Sequence, residues 1–556
     1  MQRWFLLLGC FLGTAVVAAV WMWDGQLVAL PDLTSGRFDC VSYSPPSILR
    51  SVDGAPRASV SVAVMEADLR VMAHITRCIR TYSVARNMDQ VVPIAARLGM
   101  KVLLGVWISR EEESGNAEIR QAATMANAYP ETVRAIVVGN EAMMRCDVSE
   151  ARLAAYLQYA RTLTHTPLTV AEIWRFWLYH PQLASSVDFI TLHILPYWED
   201  EPTSVDQSLA SVEQIMMHCQ ERFAGKPLLI GEIGWPSLGR PHRDAVPGRI
   251  QQAQFLRTLA TLAASHGWAY NVIEGFDQRW KRDSEGTVGG AWGVFTEEGV
   301  QKFPLRGPVS DCPEWRSEFL LSVALGALGW VWLFWKGAAR SNLRGAVAAL
   351  ITPFLGGLLV MQADFMLQTT LGITDWVLGF LGLVLSVLLA GLLVRGFALG
   401  IWPTLPALGS VLDALFRSSP VIEEERIDQW QWFGLIYLVL LIGAAGVGLA
   451  LALAFAHSHR DFPVAVFLLP ALAFLAFGCA NRFQVEPGYV PREESWLGIL
   501  FLVLAFGGWM NERFLNPVAV QWAVVLVLFA IPLLGKMVVF YDRKRPTHRY
   551  SARRTT

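Results

Sequence analysis

Two glutamates close short apolar runs in a setting that suits chemistry on a sugar. The first ends Val137-Val138-Gly139-Asn140-Glu141, and the second lies in Ile230-Gly231-Glu232-Ile233-Gly234-Trp235-Pro236-Ser237. Breaking a glycosidic bond takes two carboxyl groups, one to protonate the leaving oxygen and one to attack or stabilise the oxocarbenium-like centre. Flanking glycines let the backbone approach a ligand, and Trp235 offers a ring face for a sugar; a solvated loop glutamate is the plainer alternative for either residue. One carboxyl must be protonated while the other is ionised, so their environments must differ. Arg80, Arg145 and Lys281 are cations that would favour an ionised carboxylate if they lie close.

These residues need elements that bring them together. Between about 36 and 310 the chain alternates short β-branched runs with longer periodic stretches, a βα pattern. The predicted strands are Phe38 to Tyr43, Cys78 to Tyr82, Lys101 to Trp107, Val133 to Gly139, Pro167 to Ala171, Val187 to His193, Pro227 to Gly231 and Tyr270 to Phe276. Eight βα units in about 275 residues suit a closed α/β (β/α)8 TIM barrel, in which strand C-termini share one active-site mouth. A doubly wound open sheet is the alternative, but no glycine-rich phosphate loop follows the first strand.

The motifs resemble those of glycoside hydrolase family 17, β-1,3-glucan-active barrels with a G-N-E signature after strand four and a G-E-x-G-W-P-S signature after strand seven. Further matching residues are Arg80-Thr81-Tyr82, His193-Ile194-Leu195-Pro196-Tyr197, and Phe276-Asp277-Gln278 with Trp280-Lys281, so the resemblance covers residues 36 to 305. It implies Glu141 as acid/base, Glu232 as nucleophile, a covalent glycosyl-enzyme, and carboxyl groups about 5 to 5.5 Å apart. It also implies substrate binding by Asn140, Tyr82, Arg80, Tyr197, Trp235, Phe276, Gln278, Trp280 and Lys281. Among these, Asn140 would bond the sugar at the cleavage subsite, Tyr197 would hold the nucleophile, and Trp235, Phe276 and Trp280 would stack on sugars, although aromatics also fill barrel cores. Gln278 stands where many relatives carry Glu, and Ile233 where many carry Thr. The motifs do not decide between water and a sugar as acceptor; the likeness to family members tethered to a multi-span membrane domain, which resemble glucan-remodelling transglycosylases, favours transglycosylation of β-1,3-glucan, with hydrolysis as the alternative and a non-catalytic glucan-binding or export component as a third reading. No metal or other cofactor is expected.

Composition adds the setting. With 53% apolar and 17% charged residues, the chain is too apolar for a wholly soluble protein, and a net charge of -1 gives no footprint for nucleic acid. Trp4 to Trp23 reads as an N-terminal anchor in a segment 1 to 35, ahead of the barrel at 36 to 310. Seven more apolar runs, near 319 to 335, 346 to 362, 376 to 394, 432 to 456, 462 to 480, 496 to 511 and 518 to 540, make 311 to 541 an all-α multi-span transmembrane domain. The interrupted stretch 397 to 416 suits an interfacial or re-entrant segment, and Asp364 and Asp375 are placed in an outer loop, so no clearly buried ionisable residue is expected in the spans. Lys336, Arg340, Arg344, Arg395, Arg417, Arg426, Arg482, Arg492 and the basic tail 542 to 556 then fall inside, with only Arg460 and Arg513 in short outer loops. The expectation is a multi-pass protein of the inner membrane whose barrel is periplasmic, whose partners are the lipid bilayer and β-1,3-glucan, and which works beside a glucan synthase or export component. Seven separated cysteines show no metal-ligand spacing; five lie in the block placed outside, where disulfides persist, with their pairing open.

Overall fold

The computed structural model describes residues 2–46, 59–336, 341–416, 429–453 and 461–544. The basic loop residues Arg340, Arg417, Arg426 and Arg460, and the tail from 545 onward, lie outside the described residues. The chain divides into two units, Gln26–Asp311 and Met1–Gly25 together with Cys312–Thr556.

The first unit is a closed barrel of eight parallel strands: β1 (Cys40–Ser42), β2 (Cys78–Arg80), β3 (Lys101–Val106), β4 (Val133–Asn140), β5 (Leu168–Ile173), β6 (Ile190–His193), β7 (Leu228–Ile233) and β8 (Ala269–Val272). Each strand pairs with its sequence neighbour, and β8 closes the ring onto β1. All eight expected strands are present, which bears out the TIM-barrel reading. Side-chain alternation explains their composition. Val41, Ile79, Val102, Leu104, Ile136, Val138, Val170 and Leu192 join the large core shared with the helices, while Cys40, Cys78, Leu103, Ala135, Val137, Ala171 and Leu229 form a separate apolar layer. Cys40 and Cys78, on adjacent strands in that layer, form a disulfide; Cys146 and Cys219 are free.

Two breaks in regular pairing fall where the glutamates sit. On β7, Ile230 and Ile233 both belong to the outer core, and the pairing with β8 shifts register between them. Such a bulge re-aims side chains, and here it frees Glu232 from the alternation that would otherwise send it outward with Ile230. On β4, register shifts between Val137 and Asn140, across Gly139 at φ +92°. A Cβ at that φ is strained, so glycine permits the turn that delivers Asn140 and Glu141 to the mouth.

The second unit is helical. Among the described residues, seven helices are long and apolar enough to cross a membrane: Arg3–Asp24, Trp315–Trp335, Asn342–Thr369, Ile373–Leu399, Phe433–Leu451, Arg492–Asn511 and Pro517–Arg543. The run expected at 462 to 480 forms the 17-residue helix Val464–Ala480, about 26 Å long at helical rise and shorter than a bilayer core. The N-terminal helix packs on Asn342–Thr369 at close range: a Cβ at Gly9 or Gly13 would come within 2.2 or 2.3 Å of the carbonyl oxygen of Ala346 or Leu350. This is how small residues four apart let apolar helices approach. Residues 400 to 407 are irregular and lead into the short helix Leu408–Phe416.

Two expectations for this unit need correction. Asp364 lies within the helix Asn342–Thr369 rather than in a loop, because the apolar run continues as helix beyond residue 362. Ionisable residues are also buried in this unit: Glu494 is 0% and Lys536 2% exposed, with Lys536 Nζ 3.4 Å from Glu494 Oε1. The pair escapes a hydropathy reading because Glu494 sits at a helix start while Lys536 is a single charge in a long apolar run. Glu494 Oε1 also accepts from the Leu408 amide at 2.9 Å, so the pair fastens the short helix to two long ones.

Candidate active site

The strand ends converge on one hydrogen-bonded group built around Arg80, which ends β2 and is 1% exposed. Its Nη1 donates to the Gly231 carbonyl at 2.6 Å and to Glu232 Oε1 at 3.2 Å, and its Nη2 donates to Asn140 Oδ1 at 2.6 Å. One guanidinium therefore ties β2, β4 and β7 together, which its planar fork of donors permits. Asn271 on β8 donates to the same Gly231 carbonyl at 2.7 Å and to Ser42 Oγ at 2.8 Å. Gly231 itself is needed at this crossing: a Cβ there would lie 2.3 Å from Thr191 Cγ2.

His193, the last residue of β6 and 1% exposed, links the two glutamates. Its Nδ1 is 2.8 Å from Glu141 Oε1, and its Nε2 is 3.2 Å from Arg80 Nη1 and 3.7 Å from Glu232 Oε1. Arginine only donates, so Nε2 accepts, the ring proton sits on Nδ1, and that N–H points at Glu141.

Glu141 adopts a left-handed backbone conformation, φ 50°, and its amide donates to the Ala171 carbonyl at 2.8 Å. Strain of this sort in a non-glycine residue persists where the surroundings over-determine it. Burial pushes the Glu141 carboxyl upward, but the hydrogen bond from His193, with the charges of Arg80 and Arg145 beside it, brings it below its ordinary value. Arg145 lies 4.1 Å over the Trp107 ring and donates to the carbonyls of Asn140 and Ile108. This pins the turn that carries Glu141.

The oxygens of Glu141 and Glu232 and a ring nitrogen of His193 lie within 4.8 Å of one another, a cluster able in principle to hold a cation. Arg80 argues against that use. Its permanent charge stands 3.2 Å from both His193 Nε2 and Glu232 Oε1, where a metal would have to enter.

The other expected residues divide by exposure. Tyr82 is half-buried, with its hydroxyl donating to Ser42 Oγ at 3.0 Å and its ring 5.0 Å from the Arg80 guanidinium. Trp280, 46% exposed, offers an open ring and donates to Gln278 Oε1 at 3.0 Å. Lys281 is close to the mouth and donates to Glu274 Oε1 at 2.8 Å. Gln278 is buried, its amide donating to the Ser44 carbonyl at 2.8 Å. Trp235 and Phe276 are enclosed in the core, with Trp235 donating to the Val246 carbonyl at 2.9 Å and Phe276 packed on Tyr43 and Phe295. Tyr197 is also buried; its ring edge meets Trp235 and its hydroxyl donates to the Arg240 carbonyl.

Two buried acids were not singled out from the sequence, Glu172 on β5 and Glu274 after β8. Burial pushes each carboxyl up to about 7. For Glu274, Lys281 opposes the rise while Asp277 and Glu232 add to it. A charged residue inside an apolar strand run is the signal that could have found both.

Residues 40–293 match the family model for the BtgE/BtgC glycoside hydrolase domain. The barrel is similar to a glycoside hydrolase domain of this kind. The resemblance to family 17 drawn from the motifs is thereby borne out. The chain is 30% identical over 226 residues to a probable beta-glucosidase btgE of Aspergillus fumigatus, covering 39% of this chain and 39% of that protein. It is 23% identical over 270 residues to a glucan 1,3-beta-glucosidase of Saccharomyces cerevisiae, covering 44% of this chain and 85% of that one. The crystal structure of a glycoside hydrolase family 17 beta-1,3-glucanosyltransferase from Rhizomucor miehei is similar at 22% identity and a TM-score of 0.42, covering 48% of this chain and 95% of that one.

Proposed function

We propose that the chain is a membrane-anchored, retaining β-1,3-glucan transglycosylase, with Glu232 as nucleophile and Glu141 as acid/base. The observation that carries the retaining assignment is spacing. Oxygens of the two carboxyls approach within 4.8 Å, closer to the separation of about 5 to 5.5 Å of a retaining pair than to the about 6.5 to 9.5 Å of an inverting one. In the first step a Glu232 oxygen bonds to the anomeric carbon as the glycosidic bond breaks, and the Glu141 proton moves to the leaving oxygen. In the second, Glu141 takes a proton from an acceptor hydroxyl, whose oxygen bonds to the anomeric carbon and releases Glu232. Arg80 and Asn140 hold the reacting face, and Tyr82, Trp280 and Lys281 extend it toward the sugars.

The anchor is the helical unit, and the barrel is assigned to the periplasmic face of the inner membrane. A disulfide in the barrel suits an oxidising compartment, and the basic loop residues on the other side follow the positive-inside rule. A glucan synthase or export component would supply the donor chain at that face.

Incubating the full-length protein in detergent with a short β-1,3-glucan and chromatographing the products separates the readings. Chains longer than the substrate are expected from transfer. Shorter chains alone would replace transfer by hydrolysis, and an unchanged substrate would overturn both.

A further inference from the structure

Gln278 is among the residues expected to bind sugar, yet it is 1% exposed and its side-chain amide is engaged inside the protein at both ends. Nε2 donates to the Ser44 carbonyl at 2.8 Å and to the Phe276 carbonyl at 3.3 Å, while Oε1 accepts from Trp280 Nε1 at 3.0 Å. An indole N–H only donates and a carbonyl only accepts, so the three partners agree on one orientation of the amide. A glutamate here would turn a carboxylate oxygen toward two carbonyl oxygens, so the site suits an amide. The backbone around it is held as well. The Gln278 N–H donates to the Gly290 carbonyl at 3.2 Å, the Lys281 N–H to the Gln278 carbonyl at 3.0 Å, and the Arg279 N–H to Glu297 Oε1 at 2.8 Å. With the turn fixed, the Trp280 ring still has its side-chain torsions to settle, and it stands 46% exposed. The bond to Gln278 settles them.

We infer that Gln278 is a positioning residue: it does not touch the glucan but holds the Trp280 ring upright at the mouth as a stacking platform for the sugars that stay on Glu232. The inference rests on the glucan-active reading of the site. Its placement follows from the order of strands. The turn leads out of β8, which adjoins β7 with Glu232 and lies opposite β4 with Glu141 in the ring of eight. Glu141 protonates the leaving sugar and later activates the acceptor, so both of those lie toward β4, and a platform after β8 serves the donor. A ring that is already set loses little freedom when a sugar stacks on it, so the bond lowers the cost of binding without adding a contact to the sugar.

The test is a double-mutant cycle on KM, with full-length protein and a short β-1,3-glucan. Gln278→Met removes both hydrogen-bonding ends at similar size. It should raise KM by about 3- to 10-fold and change kcat by less than about twofold, as the loss of one ordering bond in binding requires. In a Trp280→Ala background, where no ring is left to hold, Gln278→Met should add nothing. The same rise with and without the ring would mean that Gln278 acts through the Ser44 segment, and an unmoved KM would mean that it positions nothing; either overturns the inference. Should Gln278→Met melt far below the wild type, Trp280→Phe removes the same bond from the exposed end and leaves the Ser44 anchor in place. It should raise KM likewise, and an unmoved KM counts against the inference. The ratio of transfer to hydrolysis at one saturating glucan concentration should stay constant across the set; a ratio that moves while KM does not would put the platform on the acceptor side and refute its placement. Calorimetry of glucan binding to Glu232→Gln protein carrying the same substitutions reads the cycle without turnover. The expected pattern in Kd beside a wild type that cleaves nothing would sink the transglycosylase reading and leave the role of Gln278 standing. Turnover without the pattern would sink that role only, and a protein that neither binds nor cleaves the glucan would overturn both.

Discussion

His193 Nδ1 lies 2.8 Å from Oε1 of Glu141, with the ring oriented by Arg80 at its other nitrogen. The bond lowers the proton affinity of Glu141 and fixes its carboxyl, so His193→Ala should have two effects that separate. The alkaline limb of kcat/KM should move upward, because the donor favouring ionised Glu141 is gone. The maximum should fall by about 10²-fold as the acid/base loses its orientation. Profiles measured on the full-length protein test this, and a drop in rate with no movement of the limb would mean that His193 acts through packing alone.

The two catalytic assignments are separable with azide and a glycoside bearing a good leaving group. Glu141→Ala should lose most activity on natural glucan, by about 10²- to 10⁴-fold, but still form glycosyl-enzyme with the activated substrate. Azide should then yield a glycosyl azide of retained configuration. Glu232→Ala cannot form the intermediate, so azide entering in its place should give the inverted product. NMR of the anomeric centre reads the outcome, and the same configuration from both variants would refute the assigned roles.

Glu274 makes a prediction about stability. Burial raises its folded-state pKa from an ordinary 4.5 to about 7, so the fold favours its protonated form. That contribution is fully present below about pH 4.5 and is lost as pH rises through 7. Glu274→Gln mimics the protonated side chain, so its stability relative to wild type should improve between pH 5 and pH 8, by at most about 3 kcal/mol for a shift of this size. Melting of the two proteins at both pH values checks the sign; a variant that loses ground at pH 8 would mean that the Lys281 ion pair, at 2.8 Å, outweighs burial.

How much of this was legible in the sequence depends on the scale at which each feature is encoded. The strands were legible because a doubly covered strand is an unbroken β-branched run, as in Lys101–Val106 and Val133–Asn140. The motif glutamates were legible through their glycines. The β7 bulge was not, since a register shift between Ile230 and Ile233 leaves the apolar pattern of β7 unremarkable. Nor was the enclosure of Trp235 and Phe276, because an aromatic side chain reads the same whether its face meets a sugar or a core. The role of His193 was not legible either, since its value lies in reaching Glu141 and Arg80, residues 52 and 113 positions away.

The Cys40–Cys78 bridge connects stability to compartment. It joins adjacent strands across 38 residues of chain, and closing a loop of that length contributes about 2 to 4 kcal/mol by limiting the unfolded ensemble. Replacing both cysteines by serine should lower the melting temperature without moving kcat/KM, because the bridge lies at β1 and β2 among Leu103, Ala135 and Val137, in a layer separate from Glu141 and Glu232. The same chemistry tests topology. Cys146, exposed and free in the loop after Glu141, should react with a membrane-impermeant maleimide in cells whose outer membrane has been opened. Protection of Cys146 until the inner membrane is lysed would place the barrel in the cytoplasm, where a disulfide would not persist, and would overturn the periplasmic assignment.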